Sequence, residues 1–416
     1  MRKRTIFKGG ILIVLALVMV YLPVLASAKP AKPIKIGLLA DKTGGLAAYG
    51  YSHEKVAEAA VAKINAEGGI AGRPVKLYVE DTESKPSVGA LKFRKLVETY
   101  GVDFVLDSNS SGVCIACCPI AKELRTIYFP CGSATEMSGE KGNRYVFQAC
   151  TNVREEVKGA ARFAVQNLGK KWITVVVDYA WGHSNEKDFS RYVAEEGGIV
   201  LKSIRVPLGT SNWLPYLKGK IPAEAEAVFF ANFGSDFLCF IRDLHAVRPD
   251  IKKLGAVYVL SARDPAKLGP PAEGLYSLTS YPVRLEALDT PYNKAYREII
   301  GVDSAGRERG TGKYFVLAYD WAVWEPIFAL KGAIEKCGWT NKKNDNPALI
   351  KTLEGMHFKK GLEFPQGDMY YRAVDHAAIT GIYVEQIVNG EIKLIGKIPA
   401  EDVVYEPIVD RTKEPF

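Results

Sequence analysis

Histidine is scarce in this sequence, and the few that occur form no metal-binding pattern. The 416 residues include five histidines, scattered singly, without an H-x-x-x-H pair. Cys114 and Cys117 form a C-x-x-C, and the sequence has no second one. Structural zinc motifs combine two such pairs. We therefore expect neither a metal site nor a cofactor.

Two signatures of enzymes are also absent. The glycine-rich loop GGLAAYG at 44–50 lacks the G-x-G-x-x-G spacing that fits a dinucleotide, and no G-x-S-x-G turn for a nucleophilic serine occurs.

The 55 lysines and arginines are dispersed among 47 acidic residues, so the formal net charge of +8 forms no basic patch. Nucleic-acid binding depends on such a patch. We expect a protein that is not an enzyme and has no nucleic-acid partner.

Long apolar runs are confined to the amino terminus. The basic start MRKRTIFK is followed by GGILIVLALVMVYLPVL and by the small-residue triplet Ala26-Ser27-Ala28. This order is typical of a secretory signal peptide at 1–28 that is cleaved after the triplet, and an uncleaved anchor is the alternative. No later segment reaches the roughly 18 apolar residues that span a membrane. We expect a soluble chain that is exported.

Apolar strand-like segments alternate with amphipathic helical segments along the rest of the chain. KIGLLA at 35–40 precedes a helical stretch at 51–66, which the double glycine at 68–69 ends. A second round begins with KWITVVVD at 171–178, and its helix stops at another double glycine. This alternation predicts an α/β fold of two Rossmann-like lobes with parallel central sheets. Ligands of such sheets bind beyond the carboxyl ends of the strands.

Four of the seven cysteines lie within residues 108–139. Ser110 or Ser111 is suited to cap a helix that begins near residue 112, and Cys117 falls on the apolar stripe of that helix. A C-x-x-C that opens a helix after a strand is also the arrangement of thiol oxidoreductases. A redox enzyme that uses Cys114 and Cys117 is therefore an alternative, although no further redox signature accompanies the pair.

Several segments resemble the type I periplasmic binding proteins of the branched-chain amino-acid transport class. They are IKIGLLADKTGGLAAYG, KINAEGGIAGRPVKLYVED, PCGSATEMSGEKGNRYVFQ and DYAWGHSNEKDFSRYVAEEGG. The resemblance implies a monomeric periplasmic protein that captures a small-molecule ligand between two lobes and delivers it to an inner-membrane ABC permease complex. It implies lobe 1 at 34–148 with 283–364, lobe 2 at 149–282 with 365–410, and a three-segment hinge between them.

The resemblance also implies six ligand-binding positions on loops that follow strands or open helices. One of them is supported by the residues alone. The N-terminus of a helix carries unpaired N–H groups and the positive end of the helix dipole, so a carboxylate is favoured at Ser111. The six positions are Tyr49, Ser111, Cys131, Ser133, Trp181 and Phe233.

The chemistry of the ligand is narrowed by departures from the family. Trp181 and Phe233 stand where the family has tyrosines, so apolar area replaces hydroxyl groups. The loop expected to supply an acid for a ligand ammonium reads SARDPAKLGPP, where Asp264 is the candidate. A buried ammonium without a carboxylate partner is costly. We expect a hydrophobic or aromatic carboxylate, with a branched-chain or aromatic amino acid as a close alternative and amides or urea-like ligands as a third.

Overall fold

The computed structural model describes residues 32–257, 259–260, 268–282 and 289–416. Within these ranges no helix is both long enough and apolar enough to cross a membrane. The expected signal peptide at 1–28 and the candidate Asp264 lie outside the described residues.

The first lobe contains β1 (Ile34–Ala40), α1 (Ala47–Ala66), β2 (Val75–Asp81), α2 (Pro86–Arg94), β3 (Phe104–Leu106), α3 (Ser111–Glu123) and β4 (Ile127–Phe129). The strands form a parallel sheet in the order β2-β1-β3-β4. Almost all of β1 is buried, as expected for the apolar run IKIGLLA in a sheet that helices cover on both faces. The carboxyl ends of these strands therefore meet at one edge.

The second lobe contains α4 (Val153–Asn167), β5 (Lys171–Val177), α5 (Ala180–Glu195), β6 (Ile199–Val206), α6 (Leu214–Leu217), β7 (Ala227–Ala231), α7 (Gly234–Val247), β8 (Lys252–Gly255) and β9 (Tyr276–Thr279). The five strands pair in parallel in the order β6-β5-β7-β8-β9. Both lobes thus have the α/β design with parallel central sheets that the sequence predicts.

One edge of the second sheet is antiparallel. β13 (Ile382–Val388) pairs with β9, and β14 (Glu391–Ile398) pairs with β13. The turn between them is Asn389-Gly390, with φ of +54° and +73°. Asparagine and glycine favour such a turn because both tolerate positive φ. This hairpin adds antiparallel strands to a sheet that the alternation of the sequence presents as parallel.

The remaining elements follow β9 along the chain. They are α8 (Pro291–Ile299), α9 (Leu317–Cys337), α10 (Asn346–Leu353) and a small antiparallel sheet of β10 (His357–Phe358), β11 (Met369–Tyr371) and β12 (Ala378–Thr380), with α11 (Ala400–Val403) near the carboxyl end. Helix α9 packs against α1. The ring of Phe147, which follows β4, stacks on His376 at 3.9 Å between ring centroids. The chain joins the second sheet at Ile382.

The side chain of Gln366 links the ends of two strands of the second sheet. The Gln366 amide donates to the carbonyl of Ser280 and to that of Gly381, each at 2.9 Å. Both carbonyls flank strands of the second sheet, so the amide links the end of β9 to the start of β13. The lobe limits given above stay a prediction.

Two pairs of side chains bridge the lobes directly. Thr135 donates its hydroxyl hydrogen to Asp188 at 2.8 Å, and Ser184 donates to Glu136 at 2.7 Å. Thr135 and Glu136 follow β4 of the first lobe, whereas Ser184 and Asp188 lie on α5 of the second. The two lobes are therefore in contact beside the cleft, with all four residues serving as one interlobe bridge.

Candidate functional site

A cavity lies between the carboxyl edges of the two sheets. Atoms leave about 360 Å³ unfilled there, a volume that includes open solvent. Its lining comes from both lobes and consists of Leu46, Tyr49, Asn109, Ser133, Tyr179, Trp181, Phe233, Val257 and Tyr319.

The structure brings four of the six expected site residues together in this cavity. Tyr49 and Ser133 line it from the first lobe, and Trp181 and Phe233 line it from the second. Tyr49 and Trp181 occupy corresponding places, because each lies in the first turn of the helix that follows the first strand of its lobe. Whether these four contact a ligand stays a prediction.

Ser111 and Cys131 lie behind the lining. Ser111 is the first residue of α3 and is only 1% exposed, and its hydroxyl accepts the backbone N–H of Ala134 at 3.3 Å. The residue that caps α3 is Ser110, whose hydroxyl accepts from Val113 at 3.5 Å. Cys131 is fully buried, and its thiol donates to the carbonyl of Ala322 at 3.1 Å. In this arrangement both side chains support the wall of the cavity.

Glycines let the two lining helices start unusually close to the preceding strands. A Cβ atom on Gly182, the residue after Trp181, would lie 1.9 Å from the carbonyl oxygen of Val177. A Cβ atom on Gly50, the residue after Tyr49, would lie 2.3 Å from the carbonyl oxygen of Asp41. Both distances are far below a normal contact, so glycine is required at each position. The consequence is that the aromatic residue before each glycine is held at the cleft.

Aromatic rings form both sides of the cavity. In the second lobe Tyr179, Trp181 and Phe233 contact one another, with ring centroids 5.8 to 6.3 Å apart. In the first lobe Tyr49 and Tyr319 meet edge to face at 6.0 Å. Such geometry is favourable for aromatic pairs. A flat apolar ligand would lie between two aromatic walls.

The polar groups of the lining are hydroxyls, the amide of Asn109 and the indole N–H of Trp181. The loop that carries Ser133 is held by Gln148, whose side chain donates to the carbonyl of Gly132 at 2.9 Å. The hydroxyl of Tyr319 donates to the carbonyl of Cys131. Burial raises the pKa of Tyr179 well above its usual value, so this phenol is neutral. Among the described residues of the lining none carries a charge.

A buried charged cluster lies beneath the first-lobe wall. His53 Nδ1 lies 2.8 Å from Asp107 Oδ1, and His53 Nε2 lies 3.7 Å from Asp320 Oδ1. Burial raises the pKa of Asp41 and of Asp320 to about 6 each. For His53 burial has the largest effect and lowers the pKa, but Asp107, Asp320 and Asp41 together outweigh it, so the pKa is raised. The imidazole is therefore held among three carboxyl groups.

The same cluster has the spacing of a metal group. Donor atoms of His53, Asp107 and Cys131 all lie within 4.8 Å of one another. Two of these donors already satisfy each other in the short Nδ1–Oδ1 contact, and the thiol of Cys131 is bound to a carbonyl. The arrangement is that of a hydrogen-bonded core, and it gives a metal no open donor set.

The thiols of α3 are not placed for redox chemistry. Cys114 and Cys117 are fully buried, and burial raises the pKa of both well above the usual value. The same cause raises the pKa of Cys118 to about 12. A redox cysteine requires an accessible thiolate. All seven cysteines of the chain are free thiols, so the redox alternative gains no support from the geometry.

Sequence reasoning missed five residues of the lining. Asn109 and Tyr179 lie directly after strands, in loops where ligands of such sheets bind, so their position was a usable signal. Leu46 precedes α1 and Val257 follows β8. Tyr319 lies in the first turn of α9 and reaches the cavity because α9 packs on α1. No local sequence pattern predicts that contact.

Comparison with known proteins gives a consistent result. The family model described as periplasmic binding protein matches residues 33–391. The Leu/Ile/Val-binding protein BraC3 of Rhizobium johnstonii is 26% identical over 336 residues, which cover 80% of this chain and 85% of that protein. Homolog 3 of the Leu/Ile/Val-binding protein in Brucella melitensis is 24% identical over 340 residues, covering 81% and 87%.

Solved structures share the fold. A solute binding protein of an ABC transporter from R. palustris, in complex with benzoate, superimposes with a TM-score of 0.75 at 20% identity, covering 89% of this chain and 97% of that one. A leucine binding protein, LivK of Thermotoga maritima, gives 0.74 at 20% identity, covering 89% and 99%. Both likenesses extend over most of this chain.

Proposed function

Because the chain belongs to the periplasmic binding proteins, a family of solute-binding components of ABC transporters, we propose that its ligand is a small hydrophobic or aromatic carboxylate. The family confirms the resemblance drawn from the sequence, and with it the expectation of a binding protein that is not an enzyme. We also propose that the protein is a monomer, exported by a cleaved signal peptide, and that it serves an inner-membrane ABC permease. Closure of the lobes around the ligand would deliver it in a form that the permease recognises.

The composition of the cavity wall carries this proposal. Two aromatic walls suit a flat apolar body, and the hydroxyl of Ser133 suits an anionic head group. No acid is present among the described residues of the lining to meet an ammonium. A zwitterionic amino acid would bury that ammonium without a partner, which is costly.

Two other ligand classes remain as alternatives. A branched-chain or aromatic amino acid is favoured by the relatives named as Leu/Ile/Val-binding proteins. It would need an acid from the loop of Asp264, which lies outside the described residues. An amide or urea-like ligand would suit the neutral lining. The structural neighbours solved in complex with benzoate and 4-hydroxybenzoate favour the carboxylate.

A binding panel tests the ligand class. Purified protein is freed of bound ligand by unfolding and refolding, then titrated calorimetrically with benzoate, 4-hydroxybenzoate, benzamide, leucine and phenylalanine. At 100 times its dissociation constant a true ligand adds about 2.7 kcal/mol to stability, which a thermal shift also detects. We expect binding of the aromatic acids, and binding of the amino acids alone would refute the proposal.

Two serine variants make the panel specific. Ser133→Ala removes a hydroxyl from the cavity and should weaken an aromatic acid by about 5- to 150-fold, the equivalent of roughly 1–3 kcal/mol. Ser138→Ala is the matched control, because Ser138 is equally buried in the same region but does not line the cavity. Equal losses in the two variants would show that Ser133 acts only through the fold.

A further inference from the structure

The amide of Asn109 lies between the cavity and the buried imidazole of His53. Asn109 lines the cavity, and its side-chain amide is 3.2 Å from His53 Nδ1. The same ring nitrogen lies 2.8 Å from Asp107 Oδ1. His53 and Asp107 are fully buried. One ring nitrogen is thus shared between a carboxylate and an amide that reaches the ligand cavity.

The positions of the hydrogen atoms fix the orientation of the Asn109 amide. An ionised carboxylate only accepts hydrogen bonds, so the short contact to Asp107 requires a hydrogen on His53 Nδ1. A ring nitrogen that carries a hydrogen cannot accept one from an NH₂ group. The Asn109 atom that faces it must therefore be the oxygen, and amide oxygen and nitrogen are assigned from such networks. The NH₂ group then takes the other position.

No donor within the described residues reaches the position left for the NH₂ group. In the part of the chain that the structure describes, the atom there is buried and makes no hydrogen bond. A buried donor without an acceptor costs free energy unless something else satisfies it. Because Asn109 lines the cavity, the ligand is the available source of an acceptor.

Charge around the imidazole supports the same hydrogen position. The ring faces Asp107, Asp320 and Asp41, and Tyr319 stacks on it at 5.9 Å between ring centroids. Three carboxyl groups favour a ring that is protonated on both nitrogens. Nδ1 carries a hydrogen in that state and also in the neutral tautomer that donates to Asp107. The orientation of the amide is the same in both.

The backbone holds Asn109 in place at a cost. Its N–H donates to Asp41 Oδ2 at 2.7 Å, and the N–H of Ser110 reaches the same oxygen at 3.2 Å. Asp107 and Ser108 both have positive φ, +77° and +70°, although neither is glycine. Such conformations are costly for residues other than glycine and concentrate at functional sites. The strained pair turns the chain so that the next residue, Asn109, faces the cavity.

We propose that Asn109 donates an amide N–H to the carboxylate of the ligand and that His53 is the positioning residue that keeps this amide turned towards the cavity. This assignment rests on the proposed function, because it supplies the donor that a carboxylate ligand needs. This hydrogen bond would also make the site prefer a carboxylate to the corresponding amide. The charge-assisted bond to a carboxylate is stronger than the bond to the carbonyl of the corresponding amide.

The first test needs no ligand. Long-range ¹⁵N–¹H spectra of the imidazole rings, with His53 assigned by substitution, report which nitrogens carry hydrogen. We expect a hydrogen on His53 Nδ1 in the refolded, ligand-free protein. A His53 ring whose Nδ1 carries none would overturn the positioning argument, whatever ligand the protein binds.

The second test compares benzoate with benzamide. Asn109→Ala should weaken benzoate by about 5- to 150-fold and benzamide less, so that the ratio of the two dissociation constants changes. Asn109→Asp should weaken benzoate further, because two carboxylates then face each other. A fold-wide defect would weaken both probes equally. An unchanged ratio in Asn109→Ala would overturn the donor role.

Two variants at position 53 separate positioning from folding. His53→Asn places an amide N–H near the position of Nδ1 and should keep the benzoate-to-benzamide ratio of the wild type. His53→Leu removes the donor and should shift the ratio as Asn109→Ala does. If the wild type bound no aromatic acid while the His53 spectrum had its expected form, the proposed function would fail and the hydrogen-bond arrangement would stand. If benzoate bound equally well to the wild type and to every variant, the proposed function would stand and the roles of Asn109 and His53 would be refuted.

Discussion

Helix α5 begins unusually close to strand β5, and the substitution Gly182→Ala tests whether this close approach positions Trp181. The added Cβ would lie 1.9 Å from the carbonyl oxygen of Val177, whereas carbon and oxygen normally approach to about 3.3 Å. The first turn of α5 must therefore move away from β5 by more than about 1 Å. Overpacking of this kind costs roughly 1–3 kcal/mol.

The movement also reaches the cavity, because Trp181 is the preceding residue. Its ring packs on Phe233 at 5.8 Å and on Tyr179 at 6.3 Å. Loss of one such aromatic pair is worth about 0.5–1.5 kcal/mol. We expect the affinity for an aromatic ligand to fall by roughly tenfold, in addition to the loss of stability.

Urea denaturation and calorimetric titration of the same preparation measure the two effects. Gly45→Ala is the matched control, because a Cβ at Gly45 meets nothing within 4 Å and the residue has no positive φ. We expect the control to change stability by less than about 0.5 kcal/mol. If Gly182→Ala matched the control in stability and affinity, the close approach would not be what positions Trp181.

Three further outcomes follow from the sequence and the structure. Cys117→Ser should lower the free energy of unfolding by about 1–3 kcal/mol more than Cys114→Ser. The reason is that Cys114 has the carbonyl of Ser108 as an acceptor at 3.1 Å, whereas Cys117 has no acceptor in the described part of the chain. Equal losses in urea denaturation would contradict this prediction. Burial raises the pKa of Asp320 to about 6, so folding favours its protonated form. The wild type should then lose up to about 3 kcal/mol relative to Asp320→Asn as the pH rises from about 4 to 6, and a constant difference would refute the assignment. Amino-terminal sequencing of the exported protein should begin at Lys29, and an intact Met1 in the soluble fraction would argue against cleavage after Ala28.

Positions near strand ends were predictable because their geometry is local. Tyr49 and Trp181 each follow an apolar strand and begin a helix, and parallel strands bring those points to one edge. The paired lobes follow from the same alternation. Ser133 could be placed for a similar reason, since it lies on the loop after β4.

Other parts of the site depend on information that a local pattern does not carry. Which of two adjacent serines caps α3 is decided by backbone angles, and Ser110 has the extended conformation that a cap needs. The side chain of Ser111 therefore turns to Ala134 instead of the cavity. Tyr319 arrives through the packing of two helices that are distant in sequence. The strain at Asp107 is likewise invisible in the residue types.

The interlobe bridge allows the affinity for ligands to change without a change in specificity. Hydrogen bonds from Thr135 to Asp188 and from Ser184 to Glu136 hold the two lobes in contact, and none of the four residues lines the cavity. A measured dissociation constant is the intrinsic constant divided by the fraction of molecules that are competent to bind. Changes at the bridge alter that fraction, and so multiply the affinity for every ligand by one common factor. If the ligand lies between the aromatic walls as proposed, changes at the bridge tune how long it stays bound while those walls keep the preference among ligands.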